Sequence, residues 1–283
     1  MSISLRCLLF VPGARPERFE KALAAGPDMI CIDLEDAVLP AQKDQARRNA
    51  TDFLNAFGNL AHRIIVRINA IESEWGQKDA AALARLPNAP ALVMLPKVTS
   101  GADMQSASKV LAEGQGLLPL LESPAAILNA DAIAGSSDAC RGLMFGGADF
   151  SVEMGCGLDW DSLLAARGYL AMVAAKHAKI LIDVPYLDVS DPVGLESETR
   201  RVKALGFTAK AAIHPSQVAP IQTVFSPSAE EVARASRIIS AFESAGGKGA
   251  ILVDGRLVDR PVVLAAGKVL AASRVQQPDA SAR

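Results

Sequence analysis

The sequence predicts a closed (β/α)8 barrel on three observations: eight short apolar runs, helix-like segments between them, and a length that suits one barrel with a short appendage. The runs are Cys7–Val11, Met29–Asp33, Ile64–Ile68, Ala91–Leu95, Leu117–Leu121, Gly142–Gly146, Ile180–Val184 and Ala211–His214. Each is continuously apolar rather than alternating, as strands buried on both faces are. Between them, Pro16–Ala25 sets Phe19 and Leu23 on one helical face before Gly26 ends it, and Ser100 stands as N-cap to Gly101–Glu113. Eight alternations favour a closed parallel barrel over an open sheet. The open doubly wound sheet lacks its usual sign, because Pro12-Gly13 after the first run does not extend into GxGxxG. A barrel commonly takes roughly 250 residues, which leaves a short extension in a chain of 283.

That extension follows the eighth run. Ser228–Ala245 reads as a helix, Gly246-Gly247-Lys248-Gly249 as a hinge, and Ile251–Asp259 as two apolar arms around Asp254-Gly255, a strong hairpin signal. The predicted division is a barrel over 1–225, a helix and hairpin lid over 226–275, and a frayed tail over 276–283.

Composition excludes some functions. Half of the residues are apolar, the net charge is −2, and no Lys/Arg cluster occurs, which argues against non-specific binding to nucleic acid or an anionic membrane. The apolar run near the N-terminus, Cys7–Val11, is too short for a signal segment or a membrane span. Cys7, Cys31, Cys140 and Cys156 are far apart and form no CxxC pair, so inert thiols and a cytoplasmic location are expected.

The strand ends carry the chemistry. After successive runs come Pro12-Gly13, Glu35-Asp36, Arg67 with Asn69, Lys97, Glu122, Asp149, Asp183 and His214. In a β/α barrel these positions share the C-terminal rim, where the active sites of the fold lie. Polar residues end strands in any case, because strands end where water begins. That accounts poorly for carboxylates gathering beside Arg67 and Lys97 in place of Ser, Asn or Thr. Facing carboxylates repel, and burying them is costly unless a cation neutralises the group. Oxygen ligands with room for water suit Mg2+. Three histidines and no HExxH spacing make zinc a poor fit. A Schiff-base role for Lys97 is disfavoured, since neighbouring carboxylates raise a lysine pKa and oppose amine nucleophilicity.

The segments LLFVPGARPERFEKAL, IDLEDAV with Lys43 and Arg47, VRIN, MLPKV, LLES, FGGADF, AAIHPSQ and GKGAILVDGRLVDRPVV occur in that order from about Arg6 to Leu270. Together they resemble the CitE-like branch of the HpcH/HpaI aldolase superfamily, which includes the citrate lyase β subunit and malyl-CoA and citramalyl-CoA lyases. The resemblance implies that Glu122 and Asp149 bind Mg2+ directly, with Glu35 and Asp36 holding its waters. It implies that Arg67 contacts the substrate, that Phe10, Lys21, Ile213 and His214 line the coenzyme A path, and that Asp259 is the catalytic acid/base. It further implies a homo-oligomer, most simply a trimer, with the hairpin closing over a neighbouring subunit. Ala14 departs from the polar residue often found there in relatives.

Such a set suits carbon–carbon cleavage of a β-hydroxyacyl-CoA to acetyl-CoA plus pyruvate or glyoxylate. The enolate formed needs positive charge near its oxygen, and a carboxyl group with a raised pKa can protonate the acetyl carbon. Alternatives are the citryl-thioester lyase subunit of a citrate lyase, which needs an acyl-carrier partner, and a thioester hydrolase on the same scaffold.

Overall fold

The computed structural model describes residues 5–247 and 249–274; Lys248 of the expected hinge and the expected tail at 276–283 lie outside the described residues. Eight parallel strands close into a barrel in sequence order: β1 (Cys7–Pro12), β2 (Met29–Asp33), β3 (Ile64–Arg67), β4 (Leu92–Leu95), β5 (Leu117–Leu121), β6 (Gly142–Phe145), β7 (Ile180–Asp183) and β8 (Ala209–Ala212). β8 pairs back onto β1, with Leu8 opposite Ala211. Helices connect the strands, as the alternating pattern requires.

The pleat decides what each strand offers to the inside. Leu8, Cys31, Ile65, Leu120 and Ala211 belong to one buried cluster inside the barrel. Side chains two residues further on project to the same side. That step carries Phe10, Asp33, Arg67, Glu122 and Ile213 to the barrel's C-terminal mouth, just above the apolar layer.

Residues out of phase with this alternation face the helices instead. Asp183 is fully buried and accepts from Arg167 Nε at 2.9 Å, Arg167 Nη2 at 3.1 Å and Lys210 Nζ at 2.6 Å. Lys210 Nζ also donates to Val184 O at 2.7 Å and Glu198 Oε1 at 2.8 Å. Asp183 therefore serves a buried ion network between β7, β8 and the helix Trp160–Lys176, not the open rim. The same network explains the last strand: it begins two residues before the run expected from Ala211, because Lys210 interrupts the apolar pattern yet is fully buried.

The chain divides into two compact units between Gln222 and Thr223. In the second, Ser228 caps the helix Ala229–Ser244 through a reciprocal pair with Glu231, at 3.1 and 2.7 Å. Gly246 and Gly247, at φ 87 and 69, end it, with Gly247 N–H donating back to Phe242 O at 2.9 Å. These glycines thus terminate a helix, where the sequence suggested only a hinge. β9 (Ile251–Val253) and β10 (Arg256–Val258) form the expected hairpin, with Asp254 and Gly255 both at positive φ. A further helix, Arg260–Arg274, was not anticipated. Its Val262, Val263, Ala266, Val269 and Leu270 pack with Ala235, Ile238, Phe242 and Val258 into a core belonging to this unit. No helix among the described residues is long and apolar enough to cross a membrane.

Candidate active site

A cavity of about 410 Å³ opens at the C-terminal end of the barrel. Leu120 and Met144, from the inner layer, line its depth, and its apolar lining also includes Phe10, Phe145, Val184, Pro185 and Ile213. Its charged lining is Asp33, Asp36, Arg67, Glu122 and Asp149.

Strand register builds the arginine cluster. Asp33 and Arg67 are paired positions on β2 and β3, and Arg67 Nε and Nη2 each meet one Asp33 oxygen at 2.7 Å. Asp33 also accepts the N–H groups of Glu35 and Ala37, at 2.9 and 3.0 Å, so it fixes both the guanidinium and the turn after β2. Lys43 Nζ ties the same turn by donating to Leu34 O at 3.1 Å and Glu35 O at 3.0 Å. Arg67 Nη1 remains, 2.9 Å from Glu35 Oε2 and 3.2 Å from Asp36 Oδ2, and the Phe10 ring lies 5.5 Å from the guanidinium carbon. Burial works against the charge on Arg67, but hydrogen bonding and attraction from Asp33 outweigh it and raise its pKa.

Glu35 is the strained member of this cluster. It is buried, and its Oε2 has no aligned hydrogen-bond donor although Arg67 Nη1 is near. Burial pushes its pKa up to about 8 against the pull of Arg67, with Asp36 and Glu122 adding to the rise. A carboxyl raised in the folded state contributes stability that is complete below its unfolded value and lost as pH rises to the folded value. Metal-free protein should therefore lose stability between pH ~4.5 and 8, and Glu35→Gln should flatten that slope. Thermal melts across this range, with chelator present, check it; an unchanged slope would show that Glu35 is not its source.

The second cluster joins three strand ends. Lys97, just after β4, has φ 57, a left-handed conformation uncommon outside glycine. That turn points its N–H at Glu122 Oε1, 2.8 Å away, while its Nζ stands 3.2 Å from the same oxygen and bonds Asp149 Oδ2. Glu122 follows β5 and is 4% exposed. Burial raises its pKa, opposed by Lys97. Asp149 lies in the first turn of the helix Gly147–Met154, which Gly146 allows to begin close against β5: a Cβ at Gly146 would stand 2.4 Å from that of Glu122. Glu122 and Asp149 thus meet at one ammonium nitrogen, close enough to share one cation.

Five carboxylates (Asp33, Glu35, Asp36, Glu122, Asp149) stand against two cations, Arg67 and Lys97. Among the described residues, no three His, Cys, Asp or Glu side chains form a ready metal-binding group. Two oxygen ligands beside an open cavity and excess negative charge fit a hard divalent ion that keeps several waters, and not a four-ligand zinc site.

The family described as HpcH/HpaI aldolase/citrate lyase matches residues 6–215, most of the chain and all eight barrel strands. The chain belongs to this family. A (3S)-malyl-CoA thioesterase of Cereibacter sphaeroides is 34% identical over 271 residues, covering 94% of this chain and 93% of that protein. An L-malyl-CoA/beta-methylmalyl-CoA lyase of the same species is 34% identical over 285 residues, covering 90% of each. The crystal structure of CitE from Mycobacterium tuberculosis in complex with magnesium, acetoacetate and coenzyme A is 32% identical, with a TM-score of 0.83 over 97% of this chain and 100% of that one.

Within this family member, the fold gathers Phe10, Asp36, Arg67, Glu122, Asp149 and Ile213 around this cavity. Glu35 stands behind Arg67. Lys21 is exposed on the helix Phe19–Ala24 and does not line the cavity. His214 is exposed, caps the turn Pro215–Gln217 and pairs its Nδ1 with Ser216 Oγ at 2.8 Å. Asp259 lies in the second unit, where it caps the helix Arg260–Arg274: its Oδ1 accepts from Val262 N at 3.3 Å and its carbonyl from Val263 N at 3.0 Å. Sequence reasoning missed Asp33. The signal was present, since Asp33 continues the inward alternation Met29, Cys31.

Proposed function

We propose that the protein is a Mg2+-dependent carbon–carbon lyase that cleaves a β-hydroxyacyl-CoA, such as (S)-citramalyl-CoA or malyl-CoA, to acetyl-CoA plus pyruvate or glyoxylate. The observation that carries this reading is the meeting of Glu122 and Asp149 on one cation, beside Arg67, in an apolar cavity at the barrel mouth. Both carboxylates would hold Mg2+, which supplies positive charge that acidifies the substrate hydroxyl and fixes its neighbouring carboxylate. Arg67 presents Nη1, the guanidinium nitrogen not engaged by Asp33, and the exposed Asp36 yields this edge to a substrate oxygen. Its fixed charge there stabilises the enolate oxygen.

The apolar lining excludes water from that enolate. A cavity of about 410 Å³ takes the acyl head and thioester, with the rest of the coenzyme running outward past Phe10 and Ile213. Leu120, Met144 and Val184 offer contact to a methyl on the hydroxyl-bearing carbon, which favours citramalyl over malyl by about 1–3 kcal/mol at most. Asp259, contributed by a neighbouring subunit of a homotrimer, protonates the acetyl carbon in this reading. The buried free thiols suit the reducing cytoplasm.

Asp259 also caps a helix, so the choice of variant matters. Asparagine caps as well as aspartate. Asp259→Asn should therefore keep its melting temperature and substrate binding while losing turnover by about 100-fold or more. An unchanged rate removes Asp259 from the reaction. A second reading, thioester hydrolysis, is favoured by the malyl-CoA thioesterase relative, which matches as well as the lyase does. Mass spectrometry of the products from a panel of β-hydroxyacyl-CoA esters separates the two: acetyl-CoA with an oxo acid supports the lyase, and free CoA with the intact hydroxy acid supports the hydrolase.

A further inference from the structure

Lys97 has a geometry that the proposed reaction does not require of it. Its backbone is held at φ 57, and such a conformation in a non-glycine residue persists only where its surroundings impose it. Here the imposed turn brings two donors of one residue, the main-chain N–H and Nζ, to the same Glu122 oxygen at 2.8 and 3.2 Å. Nζ simultaneously bonds Asp149. The two carboxylates would otherwise repel across the cavity wall, and Glu122 is almost wholly buried. The Lys97 side chain is 47% exposed and ends a flexible stem, so it can swing out without disturbing the buried Glu122.

We propose that Lys97 is the site's resident counter-ion: its ammonium holds Glu122 and Asp149 together when no divalent metal is bound and leaves their shared position when Mg2+ takes it. This inference rests on the reading of Glu122 and Asp149 as metal ligands. The main-chain N–H stays on Glu122 in both states, so the carboxylate keeps its orientation while the side chain exchanges with the metal. Metal binding is then a competition. Displacing Lys97, and retaining a like charge near the ion, weakens Mg2+ affinity and reserves occupancy for conditions in which the ion is abundant.

Lys97→Met removes the charge at similar length, and Lys97→Gly removes it while suiting the positive φ, so a folding defect in the first does not compromise the second. Isothermal titration of metal-stripped proteins with MgCl2, and thermal melting in EDTA and in Mg2+, give the readouts. Both variants should bind Mg2+ about tenfold tighter than wild type, and their melting temperatures should rise more on adding Mg2+, because their metal-free state has lost its internal cation. Equal or weaker affinity in both variants overturns the proposal. Glu122→Gln titrated in parallel separates the two layers. If it loses Mg2+ binding while the Lys97 variants match wild type, the metal site stands and only the role of Lys97 falls. If it binds Mg2+ as wild type does, the ligand assignment fails and this inference falls with it.

Discussion

Glu122→Gln should abolish Mg2+-dependent turnover while leaving the fold intact. The substitution keeps the side chain's size and an oxygen for the Lys97 N–H, now 2.8 Å from Glu122 Oε1. It removes the anionic charge that a magnesium ion requires. Burial already favours the neutral form at this position, since it raises the Glu122 pKa. The melting temperature of the metal-free variant should therefore equal or slightly exceed that of wild type. Turnover should fall by about a thousandfold or more, equivalent to ~4 kcal/mol of transition-state stabilisation. Asp149→Asn should behave alike in turnover, and because Asp149 is half exposed its effect on stability should be smaller still. Steady-state rates at saturating Mg2+, set beside melting curves, check both variants. Normal Mg2+-dependent rates in either would remove that residue from the metal site.

The second large effect belongs to Arg67, and it divides differently between stability and rate. Arg67→Met leaves the Asp33 carboxylate buried without its counter-ion. Breaking a buried pair from one side costs about 3–5 kcal/mol. The turn after β2, which Asp33 holds through the N–H groups of Glu35 and Ala37, should loosen with it. Arg67→Lys restores one charge but not the fork that grips both Asp33 oxygens while turning Nη1 toward Glu35 and Asp36. It should recover part of the stability and little of the turnover. Urea midpoints and kcat/KM for the two variants measure the split. Near-normal kcat/KM in Arg67→Lys would mean that charge alone, not the positioned fork, is what the site uses.

Why some of this was legible from sequence and some was not follows from the pleat and from burial. Strands such as Met29–Asp33 and Leu117–Leu121 are flanked by helices on one side and the barrel core on the other, so they appear as uninterrupted apolar runs with clear ends. β8 was blurred because Lys210, a fully buried lysine neutralised by Asp183 and Glu198, looks like a loop residue in an apolar pattern. Taking the residues that follow each strand as a rim found Arg67, Glu122 and Asp149, but that rule ignores phase. Asp183 stands one position out of phase and faces Arg167, whereas Asp33 is in phase and grips Arg67. Counting in twos from Cys31 or Leu120 would have found Asp33 as readily as Glu122. From sequence, Lys97 is only a strand-end lysine beside carboxylates. Its pairing with both Glu122 and Asp149 depends on a backbone conformation that no sequence pattern announces. The helix Arg260–Arg274 is legible in the spacing of Val262, Ala266, Val269 and Leu270, residues that pack within the second unit.

The central claim is that Glu122 and Asp149 hold a cation without which the carbon–carbon bond does not break. The most direct test is acetyl-CoA release from citramalyl-CoA and malyl-CoA by metal-stripped enzyme, followed by re-addition of Mg2+. No acetyl-CoA in EDTA and full recovery with Mg2+ is the predicted result; undiminished acetyl-CoA release in EDTA would contradict it.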